Sequence, residues 1–142
     1  MTEREEATVN KLQKYKTDGE YPLKIGLIEE EGLLLKIHKD FLTDLGHEVF
    51  AFNSVSEMLE TQGKNQSPLN VILLNVLMSQ KENISTISEI RERFPETSLI
   101  LMCENLTKEE ALSCGAHVYL DGPMNLATLE SALLQIQRNH RL

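Results

Sequence analysis

The 142-residue sequence predicts an α/β fold, a five-stranded parallel sheet with helices on both faces. From Leu23 onward, short apolar runs alternate with stretches of helical period, giving five strand–helix units. Such alternation builds a parallel sheet joined by right-handed crossovers. The first, third and fourth runs are nearly continuous in Ile, Leu and Val, as strands are when both faces of their sheet are covered. Turn signals separate the units at Gly46, Ser67-Pro68, Pro95, Gly115 and Gly122-Pro123.

The first strand is "LKIGLI", residues 23–28. Leu34, Ile37, Phe41 and Leu45 then recur at helical spacing, and Gly46 stops that helix. "EVFAF" (48–52) is the second strand. Ser54 and Glu57 have capping-box spacing and open a short helix through Leu59. "NVILLN" (70–75) is the third strand. Ile84, Ile87, Ile90 and Phe94 mark the next helix face, which Pro95 ends. "SLILMC" (98–103) is the fourth strand, and a second capping box, Thr107 to Glu110, opens a helix that runs to Gly115. "HVYL" (117–120) is the fifth strand. Leu126, Leu129, Leu133 and Ile136 give a final amphipathic helix.

Residues 1–22 read as a separate charged lead, helical or flexible, with only Val9, Leu12 and Tyr15 as an apolar face; residues 23–142 form the domain. Hydrophobic residues at 41% and charged residues at 25% suit one globular domain of this length. The net charge of -8 argues against nucleic acid and anionic membrane as direct partners, because phosphate surfaces repel it. No segment approaches the roughly 20 apolar residues of a membrane span, and the charged N-terminus lacks the apolar run of a secretory signal. Cys103 and Cys114 sit among apolar or small residues and are expected as reduced thiols. The chain therefore reads as cytoplasmic.

Parallel sheets of this kind bind ligands beyond the carboxyl ends of their strands, where strand order reverses. The residues expected there are Glu29, Glu30, Glu31, Asn53, Asn75, Cys103 and Asp121-Gly122. Three stretches stand out: "KIGLIEEEGLLLKIHKDFLTDLGHEVFAF", "LNVILLNVLMS" and "SCGAHVYLDGPM". In this order the chain resembles the receiver domains of two-component response regulators, from about Leu23 to the last helix. The resemblance implies a flavodoxin-like sheet and a signalling module rather than an enzyme. It implies a site built from an acidic pair, a phosphoacceptor aspartate, a Ser or Thr, and a lysine before a proline. Here those positions hold Glu29 and Glu30, Asn75, Cys103 and Gly122; the family's proline beyond the acceptor is Ser79, and a loop glycine is Asn83.

An amide cannot form an acyl phosphate, and Asn75 also removes a hard anionic oxygen from a would-be magnesium site. Gly122 cannot grip a phosphoryl group as a lysine would. Glu29 and Glu30 are expected as a solvated acidic loop that attracts a cation weakly at most, so no cofactor is expected. Asn75 is expected to bond neighbouring backbone or Glu30 and close the strand end without reactivity. Asn83 reads as a helix cap or a positive-φ residue. His38 and His117 are isolated in sequence and suggest no metal site; His38 reads as a partly exposed helix residue. Tyr119 stands where the family often has a switch aromatic. It reads equally as a locked ring, a partner anchor or simple packing.

The leading expectation is a degenerate receiver that acts as a phosphorylation-independent protein-interaction module. Its contact face would be the fourth helix, fifth strand and fifth helix, about Thr107 to Ile136, with a homodimer possible. One alternative is an active receiver with magnesium and a non-standard acceptor. Another is a small-molecule-binding module of the same fold, such as a cobalamin binder. That last family's Asp-x-His loop is absent, since the corresponding place reads Glu29-Glu30-Glu31.

Overall fold

A computed structural model describes residues 22–64, 68–75, 80–102, 106–120 and 126–140. The expected lead, residues 1–22, lies outside the described residues except for Pro22. The elements are β1 (Lys24–Glu29), α1 (Gly32–Asp44), β2 (Glu48–Phe52), α2 (Val55–Lys64), β3 (Val71–Asn75), α3 (Gln80–Arg93), β4 (Ser98–Met102), α4 (Lys108–Cys114), β5 (Val118–Leu120) and α5 (Leu126–His140). The sheet is parallel throughout, with strand order β2-β1-β3-β4-β5. From β1 the chain steps outward to β2, then returns past β1 to β3. The reversal therefore falls between β1 and β3, where the register sets Glu29 beside Asn75.

Alternate side chains of each strand point to opposite faces, and the core divides accordingly. One face buries Ile28, Ile72, Leu74, Leu99 and Leu101 under α2, α3 and α4 through Met58, Ile87, Ile90 and Ala111. The other buries Ile25, Leu27, Leu73, Ile100 and Met102 under α1 and α5 through Leu42, Leu129, Leu133 and Ile136. β1, β3 and β4 are covered on both faces, which is why their sequences run apolar without alternation.

Local chemistry sets the helix ends. Thr107 and Glu110 form a complete capping box on α4. At α2 the Ser54 hydroxyl accepts from the Glu57 N–H at 3.1 Å, while the Glu57 carboxylate accepts from the N–H of Asn53 at 2.9 Å. Asn53 is thus part of the α2 start, and α2 runs on to Lys64, beyond the expected Leu59. Gly46 and Gly115 follow α1 and α4 with φ of 99° and 120°, the left-handed conformations that stop a helix and favour glycine.

Two expectations about helix faces are corrected. On α1 the covered side chains are Leu35, His38, Phe41 and Leu42, while Leu34 and Ile37 are 42% and 46% exposed. A histidine occupies the middle of the sheet-facing stripe, so counting only apolar residues rotates the predicted face. On α3, Ile87 and Ile90 are buried and Phe94 half-buried, but Ile84 is exposed near the start of the helix. Asn83 is neither a cap nor a positive-φ residue. It lies within the first turn of α3, and no described residue other than glycine has positive φ.

Candidate functional site

β1 ends at Glu29 and β3 ends at Asn75, so the sheet brings the two side chains together at its carboxyl edge. Glu29 continues the row of Ile25 and Leu27, and Asn75 that of Val71 and Leu73, so both belong to the face covered by α1 and α5. Asn75 Nδ2 donates a short hydrogen bond to Glu29 Oε2. The expected partner, Glu30, lies past the strand end and is exposed. Glu29, expected in a solvated loop, is only 5% exposed. The third glutamate, Glu31, is the N-cap of α1, its Oε2 accepting from the N–H of Leu34 at 2.7 Å. Three consecutive carboxylates thus have three different environments, set by where the strand stops and the helix begins.

His38 is the residue that sequence reasoning misplaced. It is buried on α1, with Nδ1 3.6 Å from Glu29 Oε2. That is longer than a hydrogen bond, and Nδ1 has no hydrogen-bond partner. Burial raises the Glu29 carboxyl above its ordinary value; hydrogen bonds from the Glu31 backbone and Asn75 oppose the rise, and the charges of Glu31 and Glu30 add to it. Burial also lowers His38. Both directions oppose charge separation, so despite their proximity we regard His38 as neutral near pH 7 rather than as an imidazolium paired with Glu29. A histidine in the middle of a helix, as His38 is in α1, carries no local signal of this role; only the helix's rotation on the sheet does.

The residues do not fit a magnesium ion. That ion takes an octahedron of oxygens with several carboxylates or waters. Here the strand end of β3 offers an amide that donates to the buried Glu29 carboxylate, and the second acid of the pair, Glu30, is exposed. Among the described residues, no three His, Cys, Asp or Glu side chains gather to hold a metal. Cys103, Gly122 and Ser79 lie outside the described residues, as do Asp121 and Pro123.

Tyr119 is half-buried on β5 and packs against the core beneath α2, α3 and α4. Its hydroxyl donates to the carbonyl of Leu106, ahead of α4, at 2.7 Å. The ring thus ties β5 to the segment entering α4. Two other histidines serve the opposite edge of the sheet. His47 Nδ1 accepts from the N–H of Leu23 at 3.1 Å, and His117 Nδ1 accepts from the N–H of Leu99 at 2.9 Å. Each immediately precedes an edge strand and satisfies an N–H at or just before the start of the neighbouring strand, Leu23 ahead of β1 and Leu99 as the second residue of β4. Burial holds His47 down to about 4, and burial with the nearby Arg91 charge lowers His117. Both bonds need a neutral imidazole nitrogen as acceptor.

At the other end of the sheet's edge, a groove of about 590 Å³ runs between β5 and α5, lined by His117, Val118, Leu120, Ser131, Gln135 and Ile136. Leu112 on α4 is 40% exposed. No helix among the described residues is long and apolar enough to cross a membrane.

Comparison with known proteins agrees with this architecture. The family model of the response regulator receiver domain matches residues 25–134. The chain is 30% identical over 114 residues to the transcriptional regulatory protein CrdR of Helicobacter pylori, covering 78% of this chain and 53% of that protein. It is 31% identical over 114 residues to the probable C4-dicarboxylate response regulator DctR of Bacillus subtilis, covering 78% and 50%. The chain therefore spans about half the length of the curated relatives it matches. A crystal structure of a two-component response regulator from Clostridium difficile superposes with a TM-score of 0.72 at 21% identity, over 83% of this chain and 98% of that one.

Proposed function

The chain belongs to the response regulator receiver domain family, and from that premise we propose that it signals through protein contact without taking a phosphoryl group. The observation that carries this reading is the amide of Asn75 at the end of β3, hydrogen-bonded to Glu29. Phosphoryl transfer to a protein acid needs a carboxylate oxygen as nucleophile. The Asn75 amide nitrogen donates its hydrogens and has no anionic oxygen to offer. Glu29 is the carboxylate that Asn75 meets, but it is buried and one of its oxygens is engaged by that amide. Among the described residues, no three His, Cys, Asp or Glu side chains gather to hold a metal that would neutralise an incoming phosphate.

The contact face in this reading is α4–β5–α5. Its support is physical: an exposed leucine on α4, a groove between β5 and α5, and an edge strand of three residues whose outer side has no neighbour among the described residues of the sheet. Another protein or a second copy of this chain would cover it.

Incubation with acetyl phosphate and Mg²⁺, followed by intact-mass spectrometry, tests the proposal. The mass is expected to stay unchanged. A hydroxylamine-sensitive phosphoryl adduct would overturn the reading and restore the active-receiver alternative.

A further inference from the structure

The rotation that turns His38 of α1 toward the sheet leaves a second, apolar side of that helix uncovered. Leu33 is 66% exposed, Leu34 42% and Ile37 46%, and Phe41 continues the row half-buried. Side chains three and four apart share one side of a helix. One exposed leucine is ordinary; a contiguous apolar run marks a surface that another element covers. Among the described residues nothing covers this one.

The chain itself supplies an occupant. Leu23 sits against the residues just past α1: its N–H donates to His47 Nδ1, and its carbonyl accepts from the N–H of Glu48. Residues 1–21, outside the described residues, therefore join the domain beside the C-terminal end of α1. Ile37 lies eight residues before Leu45, the C-cap of α1, about 12 Å along the helix. Tyr15 is eight residues before Leu23, a reach of about 12 Å in a helix and about 26 Å extended. The stripe is thus within range of Val9, Leu12 and Tyr15, the apolar side chains of the lead. With both C-terminal ends at the same edge of the sheet, the lead would run parallel to α1. Charge then matches along the pair. Glu5 and Glu6 precede Lys11 and Lys14 in the lead, whereas the exposed Lys36 and Lys39 precede the exposed Asp40 and Asp44 on α1. Opposite signs face each other at both ends, which fixes this direction over its reverse.

We propose that residues 1–21 dock along the outer side of α1, with Val9, Leu12 and Tyr15 against Leu33, Leu34 and Ile37. The inference goes beyond the function proposed above, which uses neither the lead nor α1. The contact is spread over several side chains, so truncating one leucine at its flank moves global stability little.

The experiment is hydrogen exchange on the full chain, read by mass spectrometry of peptides covering residues 8–17. The parent is expected to exchange there at least about tenfold more slowly than an unfolded chain. Ile37→Asp, which sets a charge in the contact, should return the rate to within about twofold of the unfolded one. Leu33→Asp provides a second variant with the same expected loss, and circular dichroism checks that both are folded. Protection should not change on dilution. Exchange at the unfolded rate in the parent overturns the proposal, as does protection that survives in either folded variant. Protection that fades on dilution also overturns it, because a second copy would then cover α1. The acetyl phosphate experiment decides the function above; the exchange experiment decides this contact alone.

Discussion

Asn75→Asp would set a second carboxylate against the buried carboxyl of Glu29 and remove the amide donor between them. Loss of that bond and the new repulsion are expected to destabilise the fold by about 1–3 kcal/mol near neutral pH. The sign of the pH effect follows from Glu29, whose folded pKa is raised. Its stabilising contribution is complete below the unfolded value and is lost as pH rises through the folded one. A neighbouring carboxylate raises that folded value further, so the variant's deficit should widen as pH rises above the ordinary value of 4.5 in urea unfolding. His47 acts in the opposite sense. Its folded pKa of about 4 lies below the ordinary imidazole value of 6.5. The stability it carries is present above the unfolded pKa and is lost as pH falls toward the folded one, amounting to at most roughly 3 kcal/mol. His47→Ala should therefore flatten the fall in stability across that window. His38 and His117 are lowered too, so part of the slope will remain.

At the scale of the element, α1 and α4 contrast what a sequence states openly with what it hides. The α4 capping box was legible because Thr107 and Glu110 bond each other's backbone within one turn. Thr107→Ala should cost about 1 kcal/mol by thermal or chemical unfolding. The α1 stripe was not legible. Leu33, Leu34 and Leu35 are consecutive, so several rotations of the helix offer an apolar face, and the one adopted places a histidine inward. Measured stabilities should separate the two registers. Leu42→Ala, in the core, is expected to cost about 2–5 kcal/mol. Leu34→Gln, on the exposed side, should stay within about 0.5 kcal/mol of the parent. Tyr119 belongs to this scale as well. Tyr119→Phe removes the hydroxyl that reaches Leu106 and should cost about 1 kcal/mol while leaving the ring packed.

For the whole molecule, alternation of apolar runs and helical periods was enough to foresee the parallel sheet, and the order β2-β1-β3-β4-β5 agrees with the family it resembled. The pocket was less legible because its contacts are set by register rather than by spacing. Glu29 and Asn75 are 46 residues apart, and strand pairing decides that Asn75 meets Glu29 instead of Glu30. The net charge of -8 also acts globally. Added salt screens the self-repulsion of such a chain, and its unfolding midpoint should rise modestly between low and physiological ionic strength. The tie between Asn75 and Glu29 bears on history as much as on mechanism. Placing aspartate there by one codon change would crowd two anions at the strand end. On the function proposed above, gaining a phosphorylatable site would then need several substitutions at once, and the tie would act as a ratchet.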